Sequence, residues 1–110
     1  MSRVARYGRM VARHGHGPEL AALLVKAAEG LADDPGCELY LVNSQTGDPD
    51  TLWVTELWRS QADLDASIRQ ITGSEQVAAA MALVESAKMI ELDLLGGKGP
   101  GPGTAPTATA

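Results

Sequence analysis

A glutamate interrupts one side of a strand-like run that is otherwise apolar. In Thr51-Leu52-Trp53-Val54-Thr55-Glu56-Leu57-Trp58 alternate residues share a face, so Glu56 falls in line with Leu52, Val54 and Trp58 as the one ionisable group among them. Desolvation disfavours a charged carboxylate and raises its pKa, which is one way a carboxyl group becomes a general base for work near neutral pH. The same placement also suits an ion pair with Arg9, Arg59 or Lys88 that simply fixes a sheet. Trp58 offers either a stacking surface for an aromatic ligand or the largest side chain of a core. Asn43, read on one face with Leu39 and Leu41, can donate a hydrogen bond to a ligand oxygen or cap the loop that follows. His14 and His16 have the H-x-H spacing of metal ligands, but Gly15 and Gly17 mark a loop and no third ligand is evident, so no metal is expected. His14 alone continues the alternation through Gly8, Met10 and Ala12, which would make it a proton carrier at the rim of a pocket, with plain surface exposure as the commoner alternative.

The elements that must position these groups can be read along the chain. Val4 to Arg13 carries Val4, Tyr7, Met10 and Val11 without a helix start signal and stops at His-Gly-His-Gly, as a strand does. Gly17-Pro18 opens a helix whose stripe is Leu20, Leu23, Leu24, Ala27, Ala28 and Leu31, and Asp33-Asp34-Pro35-Gly36 closes it. Cys37 to Ser44 and Thr51 to Trp58 read as antiparallel neighbours joined by a loop containing Thr-Gly-Asp-Pro-Asp. Ser60, with Asp63 at the reciprocal position, caps a second helix with stripe Leu64, Ile68 and Ile71, which Gly73-Ser74 interrupts. Val77, Ala80, Met81 and Val84 then recur at helical spacing, and Lys88 to Leu95 alternates Ile90, Leu92 and Leu94 against Glu91 and Asp93.

Strand, helix, strand, strand, broken helix, strand is the βαββαβ order of a ferredoxin-like α+β fold, with helices on one face of a four-stranded antiparallel sheet. Tyr7 and Val11, together with Tyr40 and Val42, are expected on the side away from the helices, and an open face so furnished predicts a homodimer packed sheet to sheet. Under the helices, Gly8, Met10 and Met81 are expected to shape a cavity, with the bare Gly8 leaving room for a flat ligand. Residues 1–97 form this one domain, and residues 98–110, built from Gly, Pro, Thr, Ala and one Lys, read as a disordered tail.

Composition narrows the partners. A formal charge of −5, with nine scattered Lys and Arg, lacks the basic footprint of a nucleic-acid binder. No apolar run is long enough to cross a bilayer, and the arginines spread through the first residues do not form a secretion signal. The lone Cys37 excludes an internal disulfide, which fits a reducing cytoplasm.

The chain resembles the antibiotic biosynthesis monooxygenase superfamily, small dimeric α+β barrels that include quinol and anthrone oxygenases. The resemblance runs from Tyr7 to Gly97. It is carried by Gly17-Pro18-Glu19-Leu20 opening the first helix, Pro35-Gly36-Cys37 before the second strand, Glu56-Leu57-Trp58 with Ser60 and Leu64, and the closing Leu94-Leu95-Gly96-Gly97. It implies an oxygenase that uses no flavin, metal or haem and oxidises a quinol, anthrone or related polycyclic phenol with dioxygen. Glu56, His14 and Asn43 would then be the catalytic groups, and Trp58, Met10, Gly8, Ser67 and Met81 would line the substrate. Ser67 stands where many quinol-type relatives carry His. The haem-degrading branch carries Asn, Trp and His where this chain has Gly8, Ser67 and Val77, so haem chemistry is not implied. A non-catalytic small-molecule-binding or accessory protein, and a non-oxidative isomerase, are the alternatives that the same fold accommodates.

Overall fold

The computed structural model describes residues 3–98, so the expected tail at 98–110 lies, but for Lys98, outside the described residues. Seven elements follow one another: β1 (Val4–Ala12), α1 (Gly17–Glu29), β2 (Cys37–Gln45), β3 (Asp48–Trp58), α2 (Gln61–Ile71), α3 (Glu75–Ala82) and β4 (Val84–Asp93). The strands form one antiparallel sheet in the order β2-β3-β1-β4, the ferredoxin-like arrangement in which the two outer strands are the second and the last. The helices pack chiefly over β2 and β3. β4 lies beyond them, and on its helix side Ala87, Glu91 and Asp93 are exposed.

Local chemistry explains each boundary. Ser60 accepts a hydrogen bond from the Asp63 amide at 3.2 Å and so caps α2. The chain breaks at Thr72–Ser74, where Gly73 takes a positive φ of 80° and Ser74 caps α3 by accepting from the Val77 amide. Val84 belongs to β4 and not to the helical stripe in which its spacing places it: the end of β1 captures the chain there, the Arg13 amide donating to the Leu83 carbonyl at 2.8 Å and Val84 pairing with Ala12. The β2–β3 connection is also tighter than its composition suggests. Only Thr46 and Gly47 make the turn, and Asp48-Pro49-Asp50 extends β3. Proline is tolerated there because the β1 pairing ends at Thr51 and the register with β2 shifts between Ser44 and Gln45.

The register decides which side chains share a face. On the helix side the sheet carries successive rows. Cys37, Trp58, Val4 and Asp93 form one; Tyr40, Glu56, Arg6 and Glu91 the next; then come Val42, Val54, Gly8 and Met89, followed by Ser44, Leu52, Met10 and Ala87. Tyr40 and Val42 therefore face the helices and pack against the core, contrary to the expectation that they join Tyr7 on the open side. Both are opposite even-numbered residues of β3, and the register shift between Cys37 and Leu39 sets which parity of β2 turns inward.

The apolar core is in two pieces. Ala12, Leu20, Leu24, Leu52, Val54 and Val84 make the larger, and Val4, Trp58 and Leu64 the smaller, with Leu31 and Cys37 against it. The row containing Glu56 and Arg6 runs between them.

The β1–α1 corner is fixed from β3. The Asp50 carboxylate accepts hydrogen bonds from the Gly15 amide at 2.9 Å and the Gly17 amide at 2.8 Å, which satisfies donors that His16 does not cap and holds the carboxyl below its ordinary pKa. A Cβ on Gly17 would stand 1.9 Å from the Pro49 carbonyl oxygen, against backbone that cannot step aside. Gly17→Ala is therefore expected to destabilise the fold by about 3 kcal/mol, the upper end for forcing atoms into packed structure, and to show this as a lowered thermal midpoint.

Candidate active site

Glu56 is 4 % exposed, and the side chains around it explain how a carboxylate survives there. The Trp58 indole N–H donates to Oε1 at 2.8 Å, and the Arg6 guanidinium Nη1 stands 3.7 Å from the same oxygen, close enough for Coulombic attraction but too far for a hydrogen bond. Burial pushes the Glu56 carboxyl above the ordinary carboxylate range, while the Trp58 hydrogen bond and Arg6 oppose that rise without cancelling it. A carboxyl group held this way costs stability relative to an apolar residue of similar size, which makes the position a candidate for function.

Arg6 reaches Glu56 because residues 4, 6, 8, 10 and 12 of β1 turn toward the helices and Arg6 pairs with Glu56 in register. The cations read from sequence as partners for Glu56 are placed elsewhere. Arg9 and Lys88 oppose one another on the open face, and Arg59 forms a two-point ion pair with Asp63. Arg6 itself is incompletely satisfied. Its Nε is buried and has no hydrogen-bond partner among the described residues, a state that costs about 1–3 kcal/mol for a neutral donor and more for a charged one. Tyr40 completes the row on the β2 side. Burial, and then the nearby Glu56, push its phenol up to about 12, so it stays protonated through the neutral range and is a donor.

The structure brings together some of the sequence-derived candidates and separates others. Glu56 and Trp58 touch, but the Trp58 ring is 2 % exposed and packed with Val4 and Leu64. Its face is occupied by the core, and what it offers the site is its N–H. Gly8 is one row away, beside Met89. A Cβ on Gly8 would lie 2.6 Å from the Met89 Cε and 2.8 Å from its Sδ, so the room left by the missing side chain is taken by a thioether. Met10 is a further row along and half-buried against the larger core. Ser67 is buried on α2. Met81 is exposed on α3.

Asn43 and His14 lie apart from this group. Asn43 pairs with Trp53 on the face away from the helices, where its Nδ2 donates to the Trp53 carbonyl at 3.4 Å. The register that turns Tyr40 and Val42 inward turns the odd residues of β2 from Leu39 onward to the open face. His14 follows the end of β1 at Ala12, in an exposed turn where strand alternation no longer applies. Six residues of strand separate Arg6 from Ala12, about 20 Å, so His14 and Glu56 do not act on one atom. Among the described residues no group of three or more His, Cys, Asp and Glu side chains is placed to hold a metal ion, and no helix is long and apolar enough to cross a membrane.

Sequence reasoning passed over Arg6 and gave Tyr40 to the wrong face. The signal for Arg6 was present: the same alternation that points Gly8 and Met10 inward also points Arg6 inward. Tyr40 had no such signal, because the irregularity that sets its face is visible only in the pairing.

Residues 3–83 match the sequence profile of the family described as antibiotic biosynthesis monooxygenase. Among solved structures, a candidate antibiotic biosynthesis monooxygenase from Chloroflexus aurantiacus is 33% identical, covering 91% of this chain and 100% of its own, with a TM-score of 0.76. A similarly described protein from Deinococcus radiodurans is 23% identical over 88% of this chain and 97% of its own, at a TM-score of 0.76. A variant of SnoaB, a cofactor-independent oxygenase from Streptomyces nogalater, shares the fold at 14% identity, covering 88% of this chain and 97% of its own, with a TM-score of 0.76. No curated protein matches the chain.

Proposed function

Since this chain belongs to the antibiotic biosynthesis monooxygenase family, we propose that it is a cofactor-independent monooxygenase oxidising a quinol, anthrone or related polycyclic phenol with dioxygen. The observation that carries this reading is Glu56, a carboxyl group buried on an apolar sheet face and raised above its ordinary pKa, with the Trp58 indole and Arg6 both directed at one of its oxygens. The Streptomyces nogalater oxygenase is a precedent for cofactor-free oxygen chemistry on this fold.

Glu56 takes the acidic proton of the substrate and leaves an electron-rich anion. Outside water, that anion is a better reductant than the neutral phenol, and one-electron transfer to dioxygen followed by recombination of the two radicals forms a carbon–oxygen bond. Loss of water from the resulting hydroperoxide leaves a carbonyl. In balance, a methylene flanked by two aromatic rings loses two hydrogens and gains one oxygen, and the second oxygen atom leaves as water. Tyr40, protonated, and the Arg6 guanidinium are the groups in the row that can stabilise negative charge on oxygen.

The working unit is a homodimer closed through the open sheet face, in a reducing cytoplasm where Cys37 remains a thiol. That thiol is unreactive at neutral pH, since burial and the nearby carboxylates push it up to about 11. Nucleic acid and membranes are not partners in this reading.

Oxygen uptake and quinone formation, followed in air across a panel of anthrones, naphthols and quinols, test the proposal. Acceleration over the uncatalysed rate with at least one polycyclic phenol is expected. Equal rates with and without protein across the panel, or turnover that persists under argon, would reject it, the latter in favour of isomerisation.

A further inference from the structure

Arg6, Gly8 and Met89 together have a geometry that the core does not need. Arg6 presents a buried Nε with no acceptor among the described residues, and its contact with Glu56 is longer than a hydrogen bond. In the next row, glycine occupies the middle of a central strand, where it weakens the strand and leaves a gap that in many proteins admits a ligand or another backbone. The gap is filled by the last two atoms of Met89, the far end of an unbranched and adaptable side chain. Met89 comes from the part of β4 beyond Val84, and its neighbours Ala87 and Glu91 on the same side are exposed. Rotation of one methionine would therefore open a path from solvent to the floor at Gly8, two residues along β1 from Arg6 and its unsatisfied Nε.

We infer that Met89 is a displaceable plug over a slot floored by Gly8, and that an aryl oxyanion occupying this slot is held by Arg6, its oxygen accepting from Nε. The inference rests on the oxygenase reading for the substrate class and adds to it the residue that holds the ionised oxygen and the side chain that must move to admit the ligand. A flat ring suits the bare glycine floor. The planar guanidinium, with its donors in a fixed fork, suits a phenolate oxygen better than a lysine would. Three groups face Arg6 across the sheet: Glu56 on β3, Tyr40 beyond it on β2, and Glu91 on β4. Both carboxylates compete with an anionic ligand, so Glu91→Gln, at an exposed site, should tighten binding.

The test is binding rather than turnover, with 4-nitrophenol at pH 8.5, where it is ionised, against nitrobenzene as its uncharged counterpart. Wild-type protein should bind the phenolate at least tenfold more tightly than nitrobenzene. Arg6→Gln should lose that preference while Arg6→Lys keeps part of it, circular dichroism confirming that both variants are folded. Met89→Ala should tighten binding of both probes several-fold. No measurable binding by wild type, an equal affinity for the two probes, a preference kept within twofold in Arg6→Gln, or unchanged affinities in Met89→Ala would overturn the inference. Oxygen uptake on polycyclic phenols separates the two readings. Arg6-dependent phenolate binding without turnover would leave this site standing and remove the oxygenase, and turnover with an Arg6-independent probe affinity would do the reverse.

Discussion

Replacing Glu56 by Gln is expected to lower the rate of oxygen uptake by about 10²- to 10⁴-fold, the usual contribution of a positioned base, while the protein stays folded and still binds a phenolic ligand. The amide keeps the size of the carboxyl group, and its carbonyl can still accept from the Trp58 indole, so what is lost is proton affinity. The pH dependence follows from the raised carboxyl. A base must be ionised to act, so activity should rise with pH through a midpoint above the ordinary glutamate value of about 4.3, and this limb should vanish with the residual rate of the variant. Stability runs the other way. The folded state holds its proton to a higher pH than the unfolded chain, so the contribution of Glu56 to stability falls as pH rises from the unfolded to the folded pKa. Above that window Glu56→Gln should unfold at the same temperature as wild type or higher. A loss of activity accompanied by a large drop in thermal midpoint would make Glu56 a structural ion-pair partner and not a base. His14→Ala is the matched control, and with His14 exposed at the far end of β1 it should leave the rate within about twofold of wild type.

The contrast between these two residues shows what the sequence could and could not reveal. The order of the elements was legible because it depends on short-range signals: Gly17-Pro18 opening α1, Ser60 capping α2, and the Gly73-Ser74 break before α3. Glu56 was legible because its neighbours at two-residue spacing on β3 are all apolar, and a regular strand keeps that alternation. His14 was misplaced because the same alternation was carried past Ala12 into a turn. Tyr40, Val42 and Asn43 were misplaced because an irregularity near Cys37 exchanges the faces of the strand that follows, and nothing local in Cys37-Glu38-Leu39 announces it. Proximity across strands, as between Arg6 and Glu56 or Gly8 and Met89, is a matter of register. Register is fixed by the fold as a whole, and no window of sequence contains it.

If two copies pair through the open sheet face, as proposed above, introducing a charge at Ile90 should leave the protein monomeric. The face of the sheet away from the helices has two adjoining rows, Leu41, Thr55, Tyr7 and Ile90, then Leu39, Leu57, Ala5 and Leu92, in which the Thr55 and Tyr7 hydroxyls are the only polar side-chain groups and no side chain is charged. Tyr7 and Trp53 lie with ring centroids 5.5 Å apart, extending the surface toward a third row. Tyr7, Leu41, Ile90 and Leu92 are exposed in the single chain, a concentration of large apolar groups that soluble surfaces seldom leave uncovered. Pairing through the free edge of β4 is the other route to a dimer. Glu85, Lys88, Glu91 and Asp93 along that strand oppose it, as charges on an edge strand usually do, so the face is the better interface. About a two-fold axis each substitution appears twice, and Ile90→Glu would bury two unpaired carboxylates at a cost on the order of 5 kcal/mol per dimer, more than about a thousandfold in the dissociation constant. Sedimentation at micromolar concentration distinguishes the outcomes: wild type near twice the chain mass and Ile90→Glu near the chain mass. A monomeric wild type, or an Ile90→Glu protein that remains dimeric, would remove the sheet-to-sheet interface. If the variant is monomeric and folded yet oxidises phenols at the wild-type rate, each subunit carries a complete site. A parallel loss of turnover would mean that the pairing of the sheets holds the row through Glu56 and Arg6 in its working geometry from behind.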